Sequence, residues 1–178
     1  MKRAFLGDSY DAVKRMWQEL LAGWAPLYAE PRFIPEGLQQ EFTRFTKIPI
    51  LTGKPPGSFS ILNDPDTGIR LPGEQNQREG RSHITLDTIV KQLRNGVQCV
   101  VTFDQSDYRH GNLNLGEQHQ IKLRYLARRG CQGFYYASRA PFLFSVTDLA
   151  TLGQLQAILR DAGLPANRIE DHQGNTEP

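Results

Sequence analysis

Carboxylates at the ends of apolar runs are the first residues that suggest chemistry. "AFLGD" ends at Asp8, "SILND" at Asp64 and "VVTFD" at Asp104; Asp11 follows Asp8 by about one helical turn, and Asp66 follows Asp64 across a proline. Like carboxylates held together raise one another's pKa unless a cation, hydrogen-bond donors or water offset the repulsion, so such a grouping is either a solvated turn or a site. A divalent cation with oxygen ligands is the usual compensation. The expected chemistry is therefore a magnesium ion held by Asp8, Asp64 and Asp104, with Asp11 or Asp66 orienting water for attack on a phosphoester. Lys14, Arg70 and Arg109 flank the same segments and are expected to receive phosphate oxygens. His110, in the loop after Asp104, is the candidate general acid.

Each of these residues also has a purely structural reading. Asp8 is an ordinary helix cap, and Asp64-Pro65-Asp66-Thr67 fits a type I turn with Gly68 just beyond. A histidine or arginine in a polar loop is ordinarily solvated. Asp104 is the acid that turn and cap chemistry explain least, because it follows a β-branched run and precedes Gln105-Ser106.

Several site classes are excluded by spacing. No register of "DPDTGIRLPGE" satisfies the twelve-residue calcium loop, and no GxxxxGK[ST] phosphate loop or dinucleotide fingerprint occurs. His83, His110, His119 and His172 lack zinc-ligand spacing. Ser9, Ser106 and Ser138 have no recognisable His and acid partners.

These acids need a scaffold that brings strand ends together. Apolar stretches predict strands at 3–7, 47–51, 58–63, 97–103, 131–138 and 141–146. Helical periodicity predicts helices over 9–24, 38–46, 85–95, 115–129 and 147–163, while the three prolines in 25–37 exclude a single helix there. Alternation of the two predicts an α/β three-layer sandwich: a mostly parallel, Rossmann-like sheet with an antiparallel hairpin near its end, since only Arg139-Ala140 separates the last two strands. Parallel strands would bring Asp8, Asp64 and Asp104 to one carboxyl edge, where open α/β sheets bind ligands.

The chain has 178 residues, 39% of them hydrophobic and 22% charged, the size and mixture of one globular domain. The expected division is an α/β domain over 1–165 and a polar, frayed tail over 166–178. A net charge of +2, from 21 basic and 19 acidic residues in mixed order, leaves a phosphorylated small molecule or nucleic acid open as partner without demanding either. Cys99 and Cys131 lie in or beside apolar runs and read as buried thiols; no segment is apolar over a membrane span, so a cytoplasmic protein without a membrane partner is expected.

The pairing of "GDSYDAVK" with "LNDPDTGIRL" resembles a family of bacterial proteins that open with a Gly-Asp-x-x-Asp helix start and carry Asp-Pro-Asp-Thr/Asn-Gly after a strand. That resemblance covers about the first 110 residues and implies no particular activity. "NDPDTG" is also similar to the Asp-Pro segment after a central strand in adenosylmethionine-dependent methyltransferases, which are α/β sheets with a late antiparallel hairpin. This second resemblance implies that residues 64–68 face a nucleobase or amine. The chain departs from the pattern in having no glycine-rich loop after its first predicted strand. A non-catalytic binding module with an acidic rim is the third expectation.

Overall fold

A computed structural model describes residues 6–74, 80–105 and 113–172. The elements in chain order are α1 (Ser9–Leu21), β1 (Leu27–Ala29), α2 (Gln39–Thr46), β2 (Ser60–Asn63), β3 (Gly68–Ile69), β4 (His83–Ile84), α3 (Leu86–Arg94), β5 (Cys99–Phe103), α4 (Leu115–Arg128), β6 (Gln132–Tyr136), β7 (Phe142–Val146), α5 (Leu149–Asp161) and β8 (Ile169–Asp171). Six strands form one sheet in the order β1-β2-β5-β7-β6-β8, and β3 and β4 form a separate parallel pair.

The fold is α/β, but the sheet is mixed. β1, β2 and β5 are mutually parallel; β7 enters antiparallel between β5 and β6, and β8 pairs antiparallel with β6. The expectation of a mostly parallel sheet is thus corrected for its second half, and β8 within 166–178 replaces part of the frayed tail. The expected first strand, 3–7, is not one where it is described: Leu6 and Gly7 form a turn. The outer parallel position belongs instead to Leu27–Ala29, a three-residue strand between Pro26 and Pro31 too short to stand out by alternation. Of 47–51 only Ile50 pairs, by a single bridge to Ala29. Among the described residues no helix is long and apolar enough to cross a membrane.

Alternation along the strands sorts side chains to two faces. On one lie Phe103, Phe142 and Phe144, met by α1: Trp17 is fully buried, its ring edge-on to Phe144 at 5.1 Å and to Tyr136 at 5.2 Å. On the other lie Thr102, Gly133 and Tyr135, covered by α3 and α4. A Cβ on Gly133 would sit 2.7 Å from the Phe144 carbonyl oxygen and 3.4 Å from Leu126 of α4, so glycine there lets the helix lie close to the sheet.

Candidate functional site

The register of β2 and β5 decides where the acids point. Asn63 pairs with Thr102, so Asp64 lies level with Phe103 while Asp104 is one residue further. One residue along a strand reverses the face. Asp64 and Asp104 therefore emerge from adjacent strands at the same carboxyl edge but on opposite sides of the sheet.

Asp64 turns toward α1. That helix presents Asp11, Lys14, Trp17 and Leu21 along one buried stripe, the last two in the aromatic core and the first two, toward its N-terminus, at the strand ends. Lys14 is 4% exposed, and its Nζ donates to Asp64 Oδ2 at 2.8 Å and to Asp11 Oδ1 at 3.1 Å. Burial alone would push the ammonium pKa down, but the carboxylates of Asp64 and Asp11 outweigh it and hold the pKa above its ordinary value. The rings of Phe42 and Phe103 lie 5.8 and 6.0 Å from Nζ and add cation–π attraction. Asp11 Oδ2 also accepts the Gly7 N–H at 2.7 Å, tying the turn before α1 to the pair. Asp8, expected at a strand end, is the N-cap of α1 and accepts from the N–H groups of Tyr10 and Asp11.

In front of this buried trio is a cavity of about 400 Å³, lined by Asp8, Tyr10, Lys14, Asp64 to Thr67, Ser82, Phe103 and Gln105. Tyr10 and Phe103 make an aromatic wall, with ring centroids 5.5 Å apart. The opposite wall is the Asp64-Pro65-Asp66-Thr67 segment, secured to the segment before β4 by the Thr67 N–H and hydroxyl, which both donate to the Ser82 carbonyl. Asp66 is exposed at the rim. Among the described residues three carboxylates, Asp8, Asp64 and Asp66, and one ammonium, Lys14, line the cavity, a net −2 when all are ionised.

Asp104 belongs to a different cluster. It is fully buried, and Oδ2 accepts from Lys122 Nζ at 2.6 Å and from the Tyr135 hydroxyl at 2.7 Å, while Oδ1 accepts the Ile69 N–H at 3.0 Å. Burial would raise its pKa, but Lys122, the Ile69 N–H and the Tyr135 hydroxyl together hold it below the usual carboxylate value. Burial and the Asp104 carboxylate drive the Tyr135 pKa well up. His119 stacks on Tyr135 with centroids 3.7 Å apart, and its Nδ1 meets Glu170 Oε2 at 2.7 Å. Burial lowers the His119 pKa despite Glu170 and Asp104.

The expected trio of Asp8, Asp64 and Asp104 is therefore not brought together around one cation. Among the described residues no group of three or more acids, histidines or cysteines is placed to hold a metal ion. Asp11, Lys14, Asp64 and Asp66 do converge on one place, but Lys14 is held between two carboxylates instead of standing open to phosphate. Arg70 is half-buried beyond β3 and does not line the cavity. Arg109 and His110 lie outside the described residues.

Sequence reasoning missed Tyr10, Phe103 and Gln105 as walls of the cavity, and Lys122, Tyr135 and His119 as partners of Asp104. A signal was present for the last group: His119, Lys122, Leu123 and Leu126 follow i, i+3, i+4, i+7, which places Lys122 on the buried stripe of α4. Compared with family models, with curated proteins and with solved structures, the chain matches none.

Proposed function

We propose that the cavity at the carboxyl ends of β2 and β5 binds a small cationic ligand, and that its best reading is an adenosylmethionine-dependent, methyltransferase-like site. The supporting observation is the combination of aromatic and acidic walls around the Asp64 to Thr67 segment. Aromatic faces and a net negative lining attract onium cations and repel phosphates. A volume of about 400 Å³ lies within the range of small-ligand and cofactor pockets. The helices on both faces of the sheet and the late β6–β7 hairpin agree with a Rossmann-like three-layer sandwich of the kind that the Asp-Pro resemblance implies. Adenosylmethionine, when bound, supplies an electrophilic methyl group. The chain's own residues hold the walls in place: Lys14 fixes Asp64, and Asp104 fixes the backbone at Ile69, just beyond the segment. The fit has one departure, since β1 is followed by Glu30 and the 3-10 turn Pro31–Phe33 and not by a glycine loop.

The magnesium-dependent phosphoesterase is the weaker reading, because Asp104 faces away from the cavity and Lys14 is already neutralised. A thermal-shift panel separates the two. Adenosylmethionine and its demethylated product are expected to raise the melting temperature equally with and without a chelator. A shift produced only by magnesium, or by magnesium with a nucleotide, with no response to either adenosyl compound, contradicts the methyltransferase-like reading.

A further inference from the structure

The outer surface of α3 and α4 carries charge that the cavity does not use. On α3, Asp87, Lys91 and Arg94 form an i, i+4, i+7 stripe away from the buried Leu86, Ile89, Val90 and Leu93. That stripe meets α4: the Tyr125 hydroxyl donates to Asp87 Oδ1 at 2.9 Å, Arg129 pairs with the same carboxylate at 3.3 Å, and Arg94 donates to the Arg129 carbonyl at 3.3 Å. On the flank of α4 turned toward Pro72, Arg124 and Arg128 are exposed, one turn apart, and with Pro72, Ile121 and Tyr125 they line a cavity of about 220 Å³. Five exposed cations thus share one face. Among the described residues Asp87 is the acid within it, and Arg129 and Tyr125 occupy that carboxylate; Glu117, nearer the α4 N-terminus, serves the capping box with Asn114. The described residues of this face, five cations and Asp87, carry a net +4, against +2 for the whole chain.

We propose that the α3–α4 face docks a nucleic acid through its phosphodiester backbone. Four of the five cations are arginines, whose forked donors suit phosphate oxygens, and the side chain of Tyr125, already beneath the Arg129 guanidinium at 4.8 Å, offers a stacking surface. A lipid surface fits less well. Among the described residues the exposed large apolar side chains are Phe45, Leu113 and Leu149, none of them on α3 or α4, so the face lacks groups to enter a bilayer. The proposal rests on this surface alone and stands whether or not the cavity binds an adenosyl compound.

The test is fluorescence anisotropy of the full chain with a labelled 20-base-pair DNA duplex and a labelled 20-nucleotide single-stranded RNA, between 50 and 200 mM salt. With about four phosphate contacts, duplex affinity falls roughly 150-fold over that range; Arg124→Gln/Arg128→Gln removes two of them and reduces the fall to about 12-fold. Affinity at 50 mM salt drops by at least tenfold in the double variant and is unchanged in Lys54→Gln, an exposed lysine in the segment before β2. The ratio of the two probes distinguishes duplex from single strand as the source of the backbone. Loss of affinity in the double variant, with an unchanged melting temperature and an unchanged response to adenosylmethionine, supports the face. No binding of either probe at 50 mM salt, equal binding by the double variant, or capture by phosphatidylserine vesicles in preference to both probes overturns it.

Discussion

Among the described residues two lysines are buried, and each is tolerable only because carboxylates meet it. Lys122 is fully buried against Asp104, and Lys14 is nearly so between Asp11 and Asp64. Removing one partner of such a pair leaves an uncompensated charge in low dielectric, at a cost of about 3–5 kcal/mol. Asp104→Asn is therefore expected to lose about 3–5 kcal/mol in urea unfolding at pH 7.5. A stabilised Asp104→Asn would instead mean that the acid sits in a repulsive cluster. Lys14→Met is expected to lose a similar amount, about 3–5 kcal/mol at pH 7.5, in the same measurement. A Lys14→Met variant as stable as the parent would show that Asp11 and Asp64 do not need the lysine.

The elements explain how these residues become a site. Helix α1 carries its buried stripe from the aromatic core to the strand ends, so the packing of Trp17 sets where Lys14 stands. Gly68 has a positive φ of 116°, and a Cβ there would lie 2.4 Å from Asp104 Oδ1 and 3.0 Å from the Asp104 Cα. Gly68→Ala should cost about 1–3 kcal/mol and weaken adenosylmethionine binding more than Thr151→Ala at the start of α5 does; equal binding would detach the 64–69 segment from the cavity. Much of this scaffold was legible in advance. Apolar periodicity marked β5, α3, α5 and the β6–β7 hairpin, and residues 64–68 were marked as a turn or site. The opposed facing of Asp64 and Asp104 was hidden, because it depends on the register between β2 and β5, which neither strand encodes alone. The strand at the sheet edge was hidden as well: "LYA" is three residues between prolines, too short to show alternation, and it is held there by its tertiary pairing with β2.

At the scale of the molecule, the buried titratable groups set a pH window for stability. The Lys14 pKa is raised, so its contribution is present below the unfolded value near 10.4 and is lost as pH climbs through the folded one. The Asp104 pKa is lowered, so its contribution is present above about pH 3.9 and is lost below it. His119 is a base whose pKa is lowered by burial, next to Glu170, Asp104 and Lys122; the unfolded chain takes up its proton first, and stability falls as pH drops below about 6.5. Burial pushes the Cys99 and Cys131 thiols up, so the unfolded chain loses those protons first and stability falls above about pH 8.5. A melting temperature that is level from about pH 7 to 8 and declines on both sides is expected, with the decline below 6.5 flattened in His119→Gln. An undiminished decline in that variant would assign the acid limb to other groups.

Where a ligand sits is read most simply by amide chemical-shift mapping during an adenosylmethionine titration. Saturable shifts are expected at Tyr10, Asp66, Thr67, Phe103 and Gln105, which line the cavity, with little change at Arg124 and Arg128 on the α3–α4 face. Saturable shifts confined to any other surface, or none at millimolar adenosylmethionine, would contradict a ligand site in the cavity.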